Sequence, residues 1–312
     1  MNSKQIKHPP ALLRYLLPTI SDLLFIVVFV GVIELGPRLF NMDGDLGRHL
    51  TVGGYILDHF QIPTHDIFSH TMLGQPLTPH EWLSDVLFVI AYRLGGLNGV
   101  VYLSAMVISS ALYISYQLAK KRTRSDLLSA AVFMVGMAAT SIHWLSRPHI
   151  FTFLLLSVWV YGLEAVRMRS KFPAFIFPAI MLLWVNLHGA FIAGFVVLLL
   201  YGAGYLWEKL ASRDFQRDIS MERKFLFVSG SSLLVTLINP VGFRIWETSI
   251  GFLRNNYLVG HTMEYLSPDF QKTYALPFLI LILLSILVIS SMRRPFSKID
   301  LLQISAWTGM GL

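Results

Sequence analysis

The chain has no cysteine. A disulfide scaffold, a thiolate zinc site and a cysteine nucleophile are thereby excluded. Charge is scarce as well: 14% of the 312 residues are Asp, Glu, Lys or Arg, against about a quarter in an ordinary soluble domain. There is no Walker A sequence, no Gly-rich strand-to-helix turn, no nucleophile-elbow serine and no His-Glu-x-x-His pair. Those absences argue against a P-loop nucleotide enzyme, a dinucleotide fold, an elbow-type serine hydrolase and a zincin protease. What is abundant is apolar: 54% hydrophobic residues, with 22 Phe, 12 Tyr and 7 Trp. Such a chain is not a disordered, low-complexity polymer.

The apolar residues gather into runs of membrane length. A helix needs about 20 of them to cross the hydrocarbon core, where every backbone group must be bonded internally. Runs near 16–36, 98–118, 127–145, 149–166, 173–187, 189–207, 225–239 and 275–292 predict eight spans in an all-α polytopic membrane protein, with 173–187 and 225–239 short enough to be tilted or re-entrant. The first run follows Lys4, Lys7, Pro9, Pro10 and Arg14 and lacks a small-residue cleavage site, so it reads as a retained anchor. A further apolar run opens at Asp300 and stops at Leu312, too short to cross, which predicts that the natural protein continues.

Lys and Arg set the direction. With a cytoplasmic N-terminus, 18 of the 25 fall on inside segments, and only Arg38, Arg48, Arg93, Arg147, Arg244, Arg254 and Lys272 fall outside. The positive-inside rule is met at every short loop. The formal charge of +7 is explained by orientation, and no nucleic-acid partner is required. Histidine runs the other way. His49, His59, His65, His70, His80, His143, His149, His188 and His261 lie outside and only His8 inside, a bias that insertion does not demand.

The first outer segment, 37–97, carries most of the polar information. Asp43 and Asp45 precede an amphipathic stretch with Leu46, Leu50, Ile56, Leu57 and Phe60 as its apolar positions and Arg48, His49, Asp58 and His59 as its polar ones. This predicts a helix lying in the interface, weakened at Gly53-Gly54. Asp45 and His49, four residues apart, share a face, although either aspartate also suits an N-cap. Thr78 and Glu81 have capping-box spacing with Pro79 at the first helical position, which predicts a second interfacial helix over 79–94 and leaves His80 unexplained. Asp85 joins Glu81 on one face.

Ser146-Arg147-Pro148-His149 opens the fourth span. An Arg at the positive end of a helix dipole costs stability unless an anion is present, which points to a phosphate or carboxylate; headgroup snorkelling is the alternative. Asn186-Leu187-His188-Gly189 turns between spans, and polar groups at membrane depth default to a functional reading. The outer loop 240–274 is aromatic and mixed in charge, with Glu264 and Asp269 as its acidic candidates.

Asp43-Gly44-Asp45-Leu46-Gly47-Arg48-His49-Leu50, Pro63 through Ser69, His80-Glu81-Trp82-Leu83, Arg147-Pro148-His149 and Asn186-Leu187-His188-Gly189 together resemble the GT-C superfamily of integral-membrane glycosyltransferases. That superfamily includes the protein O-mannosyltransferases and aminoarabinose transferases, and the likeness is strongest to its uncharacterised bacterial members. The resemblance implies a bacterial inner-membrane enzyme that moves a sugar from a polyprenyl-phosphate donor to an acceptor on the extracytoplasmic side with inversion. It further implies Asp45 or Asp43 as the base. Arg48, His49, His80, Glu81, Arg147, His149, His188 and Glu264 become the groups for donor phosphate or substrate. A divalent metal is the one cofactor left open, with Asp43, Asp45, His49 and His80 as its candidate ligands. The outer face is richer in His than in Lys or Arg, and the outer loops leave no room for a soluble acceptor-binding domain. Two other readings stay open: a non-catalytic membrane subunit for assembly or lipid binding, and a transporter or metal-handling protein.

Overall fold

The structure, a computed structural model, describes residues 17–41, 44–169, 172–211, 219–261, 266 and 268–291. Asp43, Glu264 and the run from Asp300 lie outside the described residues. The regular elements among the described residues are all helices, and the one strand-type pairing among them is an isolated bridge between His65 and Pro76 in the loop after His59. In chain order the helices are α1 (Ile20–Glu34), α2 (Gly36–Asn41), α3 (Leu46–His59), α4 (Trp82–Thr123), α5 (Asp126–Thr140), α6 (His149–Arg167), α7 (Ile176–Leu187), α8 (Ile192–Ala211), α9 (Ile219–Val235), α10 (Arg244–Arg254), α11 (Asn256–His261) and α12 (Leu276–Ser291). Each predicted span therefore contains a helix.

Four stretches, Trp82–Thr123, Asp126–His143, His149–Arg167 and Gly189–Leu210, are long and apolar enough to cross a membrane, while Ile176–Leu187 and Thr273–Leu287 are shorter apolar helices. The charges of the long helices are confined to their ends. No Asp, Glu, Lys or Arg lies between Arg93 and Lys120, between Asp126 and Arg147, between Arg147 and Glu164, or between Arg167 and Glu208, apart from Arg169 and Lys171 in the loop after α6. Charged groups at mid-helix would meet hydrocarbon without compensation.

Local chemistry sets the helix ends. Thr19 and Asp22 form a reciprocal capping box that starts α1, and Ser125 caps α5 through Leu128 N–H. Phe60, at φ 52°, ends α3 in the left-handed region. α4 is the central strut, packing against α1, α3, α5, α6 and α7. It is two helices end to end, because Gly95 and Gly96 leave helical geometry and Gly96 has φ 60°. The helix expected over the amphipathic stretch is present as α3, and it lies against the first half of α4. Gly53 does more than weaken its middle: a Cβ there would collide with the Asp85 carbonyl, so the two backbones touch. The core around α6, α7 and α8 is aromatic, with Trp159 edge-on to Phe177 at 5.0 Å and to Trp184 at 6.4 Å.

Two sequence expectations change here. The second interfacial helix begins at Trp82, not at Pro79, and no capping box forms at Thr78 and Glu81. The outer loop 240–274 holds the amphipathic helix α10 and the short α11, and Phe191 of the turn before α8 packs edge-on to Trp246 of α10 at 5.1 Å.

Candidate functional site

The start of α3, the start of α4, the turn before α6, the turn between α7 and α8, and α10 meet at one end of the bundle. Glu81 is the hub. Its Oε2 accepts from Arg48 Nη2 at 2.8 Å, and its Oε1 faces His188 Nε2 at 3.7 Å and His80 Nε2 at 3.8 Å. This explains the missing capping box: the Glu81 side chain turns toward Arg48 and the imidazoles, and Thr78 gives its hydroxyl to Thr248 at 2.8 Å instead.

Beneath Glu81, His49 Nδ1 meets Asp85 Oδ1 at 2.6 Å, with both side chains almost fully buried. The contact requires a proton on Nδ1 when Asp85 is ionised. Asp45 does not join His49, although the two share a helical face. It occupies the N-cap position of α3 without capping and accepts from Arg147 Nη2 at 2.7 Å. The anion that Arg147 asks for in sequence is thus supplied, in this state, by a carboxylate 102 positions earlier.

The floor is a hydrogen-bond web of small polar groups. His188 Nδ1 lies 2.9 Å from Thr152 Oγ1, which also accepts from Trp184 Nε1–H at 2.9 Å. Trp82 Nε1–H donates to Asn186 Oδ1 at 2.8 Å, Asn186 Nδ2 donates to the Leu182 and Ile238 carbonyls at 2.9 Å, and Ser84 Oγ donates to the Leu187 carbonyl at 2.5 Å. These bonds join α4, α7 and the end of α9 just under the cluster. Asp85, Ser84, Thr152, Trp184 and Ser249 are the site residues that candidate selection from sequence misses. The usable signal was isolated hydrogen-bonding side chains, Thr152, Trp184 and Asn186, inside otherwise apolar runs.

Other expectations separate from the cluster. His149 donates from Nε2 to the His143 carbonyl at 2.6 Å, so that nitrogen is committed to backbone. His59 and His261 sit at helix ends, where Nδ1 meets the carbonyl four residues back, and stack on Tyr55 and Tyr257 at 4.3 and 4.2 Å. Asp269 holds a turn through Gln271 N–H at 3.0 Å. Much of the outer histidine excess is therefore local structure, and His49, His80 and His188 are the ones brought together. Among the described residues no three His, Asp or Glu side chains are grouped as a metal ion requires. Asp45 is paired with Arg147 and His49 with Asp85, a donor set that does not fit a metal centre.

Burial opposes ionisation of Glu81, but the facing His80, His188 and His49 and the Arg48 hydrogen bond outweigh it and hold the carboxyl at about 2. Burial, partly opposed by Glu81, brings the His188 imidazole down to about 4. At neutral pH the hub is an anion facing a neutral His188. Compared with known proteins, the chain matches no family model, no curated protein and no solved structure.

Proposed function

We propose that the protein is a GT-C-like membrane glycosyltransferase with eight spans and a cytoplasmic N-terminus, which transfers a sugar from a polyprenyl-phosphate donor to a hydroxyl on the extracytoplasmic side. One observation supports this reading above the others: carboxylates, arginines and imidazoles from four distant segments meet at the end of an apolar helical bundle. That is where a lipid phosphate and a water-borne acceptor both have access.

Asp45 and Arg147 supply the reactive pair. A donor phosphate competes for the Arg147 guanidinium, which binds phosphate as readily as carboxylate. Its arrival displaces the Asp45 carboxylate from Arg147. That carboxylate takes the acceptor hydroxyl proton as the acceptor oxygen forms its bond to the anomeric carbon. The bond from that carbon to the phosphate oxygen breaks, and the phosphate leaves with the electron pair, its charge held by Arg147. The anomeric configuration inverts in this single displacement.

The test is a liposome-reconstituted protein given a polyprenyl-phosphate hexose and a membrane lipid extract as acceptor, with release of polyprenyl phosphate as the readout. Asp45→Asn should lower turnover by about 10²–10⁴-fold while folding survives. Arg147→Ala should weaken use of the donor. Full turnover in both variants would sink the assignment.

A further inference from the structure

The candidate side chains sort by charge into two halves. One is Arg147 with Asp45, where a phosphate finds a cation. The other surrounds Glu81, whose carboxylate already holds the Arg48 guanidinium and faces two imidazoles. The hydrogen-bond network around Glu81 also fixes which nitrogens carry protons. His80 Nδ1 lies 3.0 Å from the Thr78 carbonyl, which can only accept, so the neutral ring carries its proton on Nδ1 and leaves Nε2 a bare acceptor. His188 has the opposite wiring. The ionised Glu81 draws the ring proton of His188 to Nε2, and Thr152 Oγ1, which accepts from Trp184 Nε1–H, then has its own proton to turn to His188 Nδ1.

Glu81 Oε1 is thus met by one donor, His188 Nε2–H at 3.7 Å, and by a second acceptor, His80 Nε2 at 3.8 Å. Both separations exceed a direct hydrogen bond. Two lone-pair groups facing each other are satisfied by an O–H between them. A neutral hydroxyl can donate to His80 or Glu81 and accept from His188, whereas the ionised phosphodiester of a lipid-linked sugar has no proton to give. A second polar group sits beside them. Ser249 is 8% exposed, and its buried hydroxyl has no hydrogen-bond partner among the described residues. A Cβ on Gly189 would stand 3.7 Å from Ser249 Oγ and 3.4 Å from His80 Cδ2, so this backbone separates the two side chains by little more than one methyl group. The Phe252 ring, with its centroid 5.8 Å from that of His80, adds an apolar face.

We infer that Glu81, His80, His188 and Ser249 form a seat for the hydroxyl groups of a neutral, sugar-like ring, with Phe252 against its C–H face. Several hydroxyls on one rigid ring match several polar groups beside an aromatic one. That the seated ring is the acceptor rests on the proposed glycosyl transfer; that it binds does not.

The test uses the full chain in phospholipid nanodiscs, free of glycoside detergent, with methyl glucoside, methyl mannoside and methyl galactoside as probes in saturation-transfer NMR. At least one should bind. His80→Phe and Glu81→Gln should each weaken that binding about tenfold, the effect of one lost hydrogen bond. Gly189→Ala meets only ordinary van der Waals contacts, so it should keep the thermal midpoint and still weaken the sugar by crowding the seat. Inorganic phosphate should not displace the sugar. The inference is overturned if no glycoside binds, if binding is unchanged in both His80→Phe and Gly189→Ala, or if phosphate competes. Sugar binding without transfer from a polyprenyl-phosphate donor would keep this seat and sink the proposed reaction. Transfer that needs Asp45 but ignores His80 and Gly189 would do the reverse.

Discussion

His49 and Asp85 show 1% and 4% side-chain exposure, so their mutual bond has no aqueous substitute. Asp85→Ala strands a buried imidazole and should cost about 3 kcal/mol of stability. Asp85→Asn keeps an oxygen to accept from Nδ1–H and should cost nearer 1 kcal/mol. Thermal unfolding in detergent separates the two, and equal losses would show that packing rather than the bond matters. A second prediction concerns acid. Glu81 at about 2 and His188 at about 4 both lie below their ordinary values of 4.5 and 6.5. The unfolded chain therefore binds more protons than the native one across both windows, and stability falls as pH drops. The His188 contribution is intact above pH 6.5 and is lost toward 4; that of Glu81 is intact above 4.5 and is lost toward 2. The melting temperature should fall between pH 6.5 and 4, and His188→Asn should flatten that part of the profile. At this scale the sequence reveals which side chains are unusual but not whom they meet. Glu81 sits at capping-box spacing from Thr78, and nothing local discloses that Arg48, 33 positions earlier, claims it. The Asp45–Arg147 pair, 102 positions apart, is equally invisible to periodicity.

The helices themselves were legible because hydrocarbon length and backbone satisfaction leave few choices for runs such as 149–166 or 189–207. Their ends were less so, as the late start of α4 at Trp82 shows. The Gly53-Gly54 pair separates propensity from packing. Read as sequence, both glycines weaken α3 equally. In the fold, Gly53 lies against the Asp85 backbone and the Val89 side chain, whereas Gly54 has nothing near its missing Cβ. Gly53→Ala must push α3 off α4, costing about 1–3 kcal/mol by overpacking. It should also stretch the His49–Asp85 bond. Gly54→Ala should instead stabilise by about 0.5–1 kcal/mol, the ordinary advantage of Ala in a helix. Denaturation of the two variants side by side reads out this contrast, and the same sign for both would contradict the packing of α3 on α4.

Among the described residues two sets of polar contacts stand apart at helix ends. One set is the Glu81 cluster with Asn186 and Thr248. The other joins Arg122 to Glu164, Lys120 to Asp126, Arg167 to Glu208, and Lys209 to Glu222. Every residue of the second set comes from a segment, or the helix end beside it, that the Lys and Arg distribution assigns to the inside. Every residue of the first comes from an outside segment. Charge counting along the chain and contact geometry in space are independent, and they agree on which ends lie together. Geometry alone gives no direction; the positive-inside rule supplies it. A chain without cysteine is well suited to the decisive measurement, single introduced cysteines labelled by a membrane-impermeant reagent in intact cells. Positions in Lys120–Arg124 and at Glu222 should label only after permeabilisation, and positions at His65 and His261 should label directly. Direct labelling at both Arg122 and His65 would place the two polar ends on one side of the bilayer. That outcome would undo the alternating topology and, with it, access of a lipid-borne donor to Arg147 from the outer leaflet.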